Sequence, residues 1–414
     1  MRVIYWGGNI LILTNEEQRM LNGEYGEGTA KAMKILVGIG KAFGAKKMVP
    51  ITKAHISLSN QEGDLWFVKT LLEGGAHCKV APSVNPAYDY EYFSNIAEID
   101  EHDKEVIVQT IDTYRKLGAI LTFDCTPFLE QNVPRFGEIT SYSASGGSVY
   151  VNSVIGARTN REAAQSAMCS AVTGVTPEYG LLLPENRKGD VLIDVKADIK
   201  TQFDYELLGY YTPIKMGVKY NRPVFQGISK DTASDESLMD IGVQLNVQGV
   251  VPMFQILGIT PEANTMEDAF KDGNPKAVVE ITNEDLEKAY DLISKGTGKA
   301  DFAILGCPHL TINQVKEIAN MVKGRKLVGQ LYLFTSSLTK ELADRMGLLK
   351  IIEDAGGHII IDSCVDQPIW SHLYGKSGVT ESPKCAYYTT RRNLTFKVRS
   401  IPECIESVLT GELR

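Results

Sequence analysis

The sequence predicts an α/β fold built on parallel sheets, and three observations carry that reading. Short runs rich in Val, Ile and Leu alternate with capped helical segments, the pattern of successive βα units. No low-complexity tract, charge block, Pro/Ser-rich linker or fixed-period repeat divides the chain. Its 414 residues exceed the roughly 100–200 of one domain and allow a substantial buried core.

Helix starts are legible as capping boxes, in which a Thr hydroxyl and a Glu or Gln three residues on satisfy orphan amides. "TNEE" (14–17), "TNRE" (159–162) and "TINQ" (311–314) fit, and apolar spacing predicts helices over 29–43, 160–173, 312–323 and 339–354. The expected strands are "KMVPI", "AILTFD", "SVYVNSVI", "DFAILG", "LVGQLYLFT" and "HIIIDS".

Composition removes several function classes. A net charge of -8 leaves no broad basic footprint for nucleic acid. The longest apolar runs, such as "GVVPMFQILGI", are cut by Pro and Gly and fall short of the roughly 20 residues of a membrane helix. "MRVIYWGGNILIL" is followed by acidic "TNEEQ" without a small-residue cleavage site, which predicts no signal peptide and a cytoplasmic protein. Seven cysteines, an odd number, point to reduced thiols rather than a disulfide framework.

Three of those thiols share one context. Cys125 follows "GAILTFD", Cys307 follows "DFAILG" and Cys364 follows "GGHIIIDS", each where an apolar run ends. Ligands of open parallel sheets bind at the carboxyl ends of strands, so three segments deliver sulfur to the face where sites form. Burial, a nucleophile with His309, a zinc site and an iron-sulfur cluster compete as explanations. Zinc lacks any close C-x₂₋₄-C pair, and three thiolates holding a cluster with one open iron fit the number best. Cys78, Cys169 and Cys404 read as buried structural thiols, and Cys385 in "ESPKCAYY" stays open.

The segments "FDCTPFL", "VPRFGEITSYSASGGSVYVNSVIGARTNRE", "TGVTPEYGLLLPENR", "LGCPHLT" and "DSCV" resemble the motifs of the aconitase X family, in particular its large subunit. The likeness spans residues from about 12 to 414. It implies an aconitase-like large subunit of interleaved parallel-sheet α/β domains over 1–414, and an iron-sulfur hydro-lyase. It also implies Cys125, Cys307 and Cys364 as ligands of a 4Fe-4S or 2Fe-2S cluster. Members of the family dehydrate cis-3-hydroxy-L-proline or mevalonate 5-phosphate. "DSCVDQP" and "ESPKCAYY" depart from the archaeal pattern, which puts cis-3-hydroxy-L-proline first and mevalonate 5-phosphate second. A small swivelling module carrying the catalytic base is expected on a partner subunit.

Dehydrating a hydroxy acid calls for cations on its carboxylate and donors around it. Arg158 and Arg161 in "GARTNRE" are candidate clamps, with Asn152, Ser153 and Asn160 as neutral donors. Lys384 is a second catalytic cation candidate beside Arg158, and His55, Ser57, Thr126 and Ser336 follow strand-like runs as possible substrate contacts. A thiol or zinc hydrolase using Cys307 with His309, and an inactive scaffold subunit, are the competing readings.

Overall fold

The computed structural model describes residues 2–6, 9–59, 61–294 and 296–414, with side chains from residue 10 onward. Among them, two parallel sheets dominate. A five-stranded sheet has the order Gly357–Ile360, Gln330–Thr335, Phe302–Leu310, Ser377–Thr380, Thr395–Val398, and a four-stranded one the order Gln255–Ile256, Pro223–Gln226, Val191–Val195, Val278–Ile281. A three-stranded parallel sheet sets Lys53–Ile56 between Ser83–Val84 and Thr140–Tyr142. The α/β class is as expected.

The central strand Phe302–Leu310 is buried along its whole length, as a strand covered on both faces must be. Phe302 and Ile304 enter a core shared with residues 11–172, whereas Ala303 and Leu305 enter a second core against the helices Ile312–Val322 and Ile401–Thr410. Strict alternation would send Cys307 after Ala303 and Leu305. Gly306 breaks it: its φ is +107°, the register to the neighbouring strand shifts between Leu305 and Leu310, and Cys307 joins the Phe302 side. A Cβ on Gly306 would lie 2.2 Å from the carbonyl oxygen of Phe334, so only glycine fits.

Four expectations need correction. "SVYVNSVI" is no strand; Ser145–Tyr150 is α-helical and Val151–Ile155 continues as a π-helical turn. Small residues explain it, because a Cβ on Gly146 would meet Val243 at 2.9 Å and one on Gly242 would meet Val149 at 3.2 Å. Close approach to the helix Asp235–Gly249 thus overrides the β-branched propensity. "AILTFD" runs beside Ser83–Val84 with one isolated bridge and turns away at Phe123, whose φ is +43°, so Cys125 follows an extended segment that is not a regular strand. The "TNRE" helix begins only at Ala164, since Arg158 and Arg161 bridge to Ile139 and Tyr142. The helix expected over 339–354 is two, Ser337–Arg345 and Leu348–Ala355, parted by Gly347 at φ +70°. The boxes at Thr14 and Thr311 are present.

The helices Gln202–Met216 and Asp235–Gly249 bury Glu206 and Asp240 beside a cleft of about 760 Å³. Gln202 donates to Asp240, and Glu206 Oε2 has no protein partner. Burial raises both carboxyls well above the ordinary range; Asp240 and Glu381 raise Glu206 further, and Glu381 and Glu236 raise Asp240.

Two predictions follow from this architecture. Gly306→Ala is expected to cost about 2–4 kcal/mol in denaturant unfolding, from left-handed strain and backbone collision together. The second concerns pH. Because the folded carboxyls of Glu206 and Asp240 titrate above their unfolded values, the folded state keeps protons that the unfolded chain releases above about pH 4. Stability contributed this way is complete below that pH and is lost as pH rises, so Glu206→Gln should gain on wild type at pH 8.5 and not at pH 4. Parallel urea midpoints for the two proteins across that range would refute it.

Candidate active site

Cys125, Cys307 and Cys364 line a single cavity of about 240 Å³ together with Ser57, Asn85, Ser145, His309, Asp366, Lys384 and Tyr388. Each sulfur arrives on a different segment. Cys307 comes from the Gly306 break, Cys364 from the turn after Gly357–Ile360, where Asp362 has φ +56°, and Cys125 from the loop after Asp124. The Cys364 amide donates to the Ala87 carbonyl at 3.0 Å, which pins that turn to the first part of the chain.

The donor set fits a metal-sulfur group. Burial, helped by Asp124, pushes Cys125 up to about 12, and burial raises Cys307 and Cys364 as well. Buried thiols of this kind ionise only when positive charge arrives with the ligand they bind. Lys384 is the largest opposing influence on Cys307. Burial alone would lower Lys384, but the facing Cys307 and Cys125 sulfurs and Tyr388 more than offset it and hold the ammonium above its usual value.

His309 is not a base for Cys307. Its Nδ1 lies 3.1 Å from Asp124 Oδ1 and its Nε2 lies 3.1 Å from the Ser363 carbonyl oxygen. Both ring nitrogens are thus engaged by protein partners, and neither faces Cys307 as a free base. Burial pushes Asp124 up, yet hydrogen bonds from His309 and Thr126 outweigh it and hold the carboxyl below the ordinary range. The His309 amide donates to Cys125 Sγ at 3.4 Å. Asp124, Cys125 and His309 do bring their ligand atoms within 4.8 Å of one another, but the first and last are already bonded together. The thiol-hydrolase reading therefore lacks its dyad.

A directed chain of hydrogen bonds also ends in the cavity. Burial pulls His55 down to about 4, so its ring is neutral at physiological pH. The ring lies 2.9 Å from Ser83 Oγ and 2.7 Å from Asn85 Oδ1, and Asn85 Nδ2 donates to Ser57 Oγ at 3.2 Å. Asn85 Oδ1 only accepts, so His55 Nε2 carries the proton and Ser83 donates to Nδ1. Ser57 Oγ is the acceptor at the end of the chain, and its own proton is free to point at a ligand.

Of the residues expected from sequence, the cavity gathers the three cysteines, Lys384 and Ser57, with His55 one layer behind. The others lie elsewhere. Arg158 lines a separate cavity with Arg187, Gln255 and Glu262, and Arg161 is exposed. Asn152 holds the Thr159 backbone and Arg187, Ser153 accepts from the Phe254 amide at 2.9 Å, and Asn160 ties down Tyr179 and Leu181. Thr126 bonds Asp124, and Ser336 caps the helix Ser337–Arg345. Cys169, Cys385 and Cys404 are buried, Cys78 half-buried.

Sequence reasoning missed Asn85, Ser145, Asp366 and Tyr388. Asn85 precedes Pro86 just past a strand end, a turn signal that marks such positions, and Tyr388 lies one helical turn after Lys384 in Pro383–Thr389. The Ser-Pro pair that opens this helix, with Ser382 as cap and Pro383 in the first turn, was a readable start signal.

Comparison with known proteins agrees across the chain. Models of the aconitase X first, second and third domains match residues 10–185, 189–291 and 300–410. The chain is 35% identical over 396 residues to the phosphomevalonate dehydratase large subunit of Thermococcus kodakarensis, covering 94% of this chain and 97% of that one. It is 28% identical over 408 residues to the cis-3-hydroxy-L-proline dehydratase of Pseudomonas aeruginosa, covering 95% of this chain and 69% of that one. The crystal structure of Thermococcus kodakaraensis aconitase X in its holo form superposes with a TM-score of 0.86 at 32% identity, over 96% of this chain and 100% of that one. Three family domains matched in order, and relatives that are dehydratases at this identity and coverage, place the chain in the aconitase X family of hydro-lyases.

Proposed function

We propose that this chain is the large subunit of a dehydratase for mevalonate 5-phosphate. Convergence of Cys125, Cys307, Cys364 and Lys384 on one cavity carries the reading. Its substrate rests on identities of 33–35% to four phosphomevalonate dehydratase large subunits, with a fifth, from Aeropyrum pernix, at 28%, against 27–28% to two cis-3-hydroxy-L-proline dehydratases. That weight reverses the order expected from the departures in "DSCVDQP" and "ESPKCAYY".

Both substrates carry a hydroxyl β to a carboxylate, so the demands on the cavity are common. Cys125, Cys307 and Cys364 would hold an iron-sulfur cluster, which when bound supplies a Lewis acid for the departing hydroxyl at its open iron. Lys384 stands beside the sulfurs, where a cation stabilises charge growing on the substrate carboxylate. Ser57, oriented by Asn85 and His55, offers a hydroxyl donor to the same cavity. Asp366, which lines the cavity beside Cys364, is engaged by Arg391 and Arg392, two cations against one carboxylate. Arg158 lies outside this set and serves the junction with Arg187 and Glu262.

None of the cavity residues is a free neutral base near the sulfurs, since the His309 ring nitrogens are both engaged. The base is therefore assigned to a second, small subunit, in keeping with the large-subunit names of the relatives.

Three measurements bear on this. Cys125→Ser, Cys307→Ser and Cys364→Ser are each expected to lose the iron and the visible absorption of anaerobically reconstituted protein, and full iron content in any one would refute the shared site. Lys384→Ala should lower kcat/KM by about 10²–10³-fold with the fold intact, the scale of one preorganised charge donor, while Arg158→Ala changes it little. A substrate panel with the small subunit added should yield turnover of mevalonate 5-phosphate; turnover of cis-3-hydroxy-L-proline alone would reverse the substrate assignment.

A further inference from the structure

We propose that Glu381 is the positioning residue for Cys307, holding open the strand break that presents its sulfur. The inference rests on the cluster reading above and concerns a residue outside the cavity.

Parallel pairing between Phe302–Leu310 and Ser377–Thr380 runs through Phe302 with Gly378 and Ala303 with Val379, and no further residues pair. Beyond that point two consecutive amides, Gly306 and Cys307, turn to a side chain. Glu381 meets both. Its Oε1 accepts from the Gly306 amide at 2.7 Å and from the Cys307 amide at 3.3 Å. A side chain thus takes the place that a backbone oxygen fills in a regular ladder, and one oxygen shared by two successive amides suits a bulge.

The same residue is tied on its other side. Glu381 Oε2 accepts from the Thr380 hydroxyl at 3.3 Å, and Glu381 is only 7% exposed. The next residue, Ser382, caps the helix that carries Lys384, and Gln244 from the helix Asp235–Gly249 reaches Ser382 Oγ at 3.4 Å. One dipeptide therefore sets both the cysteine and the lysine of the cavity. By engaging the Gly306 and Cys307 amides, Glu381 also keeps them from turning toward sulfur, and hydrogen bonds to cluster sulfurs are among the factors that set reduction potential.

The test uses full-length protein reconstituted anaerobically with iron and sulfide. Glu381→Gln keeps an acceptor oxygen at the same reach, and its amide can donate to Thr380. Glu381→Leu keeps volume but removes the acceptor, and Glu381→Asp withdraws the oxygen by one bond, about 1.5 Å. Glu381→Gln should match wild type in iron and sulfide per chain and in the visible circular dichroism of the cluster. Glu381→Leu and Glu381→Asp should each lose at least about half the iron and show an altered spectrum. Amide exchange at Gly306 and Cys307 in the metal-free protein should stay slow in Glu381→Gln and become fast in the other two. If Glu381→Leu does not fold, Glu381→Asp decides. Wild-type loading and spectrum in Glu381→Asp would overturn the proposal, as would a Glu381→Gln protein as poor as Glu381→Asp. Wild type that takes up no iron would instead overturn the cluster reading.

Discussion

Which side of the five-stranded sheet receives sulfur is decided by the backbone at Gly306. A strand buried on both faces has no solvent side to absorb a register error, so each residue belongs to one core or the other. Phe302 and Ile304 belong to the core shared with the first part of the chain, Ala303 and Leu305 to the helical layer. Without a break, Cys307 would be one more small apolar residue facing helices. The left-handed turn at Gly306 reassigns it, and the contact with the Phe334 carbonyl oxygen leaves no room for any other residue there. The cavity, its lysine and its donor chain are arranged around a sulfur whose position depends on that one turn.

Electrostatics then separates the walls. Buried thiols resist ionisation, and the structure opposes that resistance with one ammonium, Lys384, rather than with a histidine base. His309, which sequence spacing sets beside Cys307, spends both nitrogens on Asp124 and the Ser363 carbonyl and so acts as a brace between the loops of Cys125 and Cys364. A neutral His55 does the converse from behind Asn85. Its single proton fixes the direction of every hydrogen bond from Ser83 to Ser57, so the last hydroxyl faces the cavity as a donor.

Much of this was legible in sequence, and the losses have a common cause. Cys125, Cys307, Cys364 and Lys384 could be found because strand ends and helix caps are local signals and the family motifs surround them. Arg158, Asn152, Ser153 and Asn160 sit in an equally conspicuous motif, yet their side chains bond backbone groups of the protein itself. Nothing local distinguishes a donor aimed at a substrate from one aimed at a carbonyl. The same limit misread "SVYVNSVI", whose β-branched residues favour a strand until the glycines of two facing helices allow an approach no strand could use. Glu381 and Asn85 act through partners more than 25 residues away, which only the folded chain brings near.

The core that holds Cys307 has a consequence for the chain's birth on the ribosome. It joins residues up to Val172 with residues from Phe302 onward, leaving about 130 residues of other structure between its two halves. At roughly 5–20 residues per second, translation separates the halves by on the order of ten seconds. For that interval Phe93 waits for Trp370, the ring it packs against edge-on in this core. Cys307 and Cys364, two of the three thiols of the cavity, are likewise made only after the gap, so the three sulfurs meet late in synthesis.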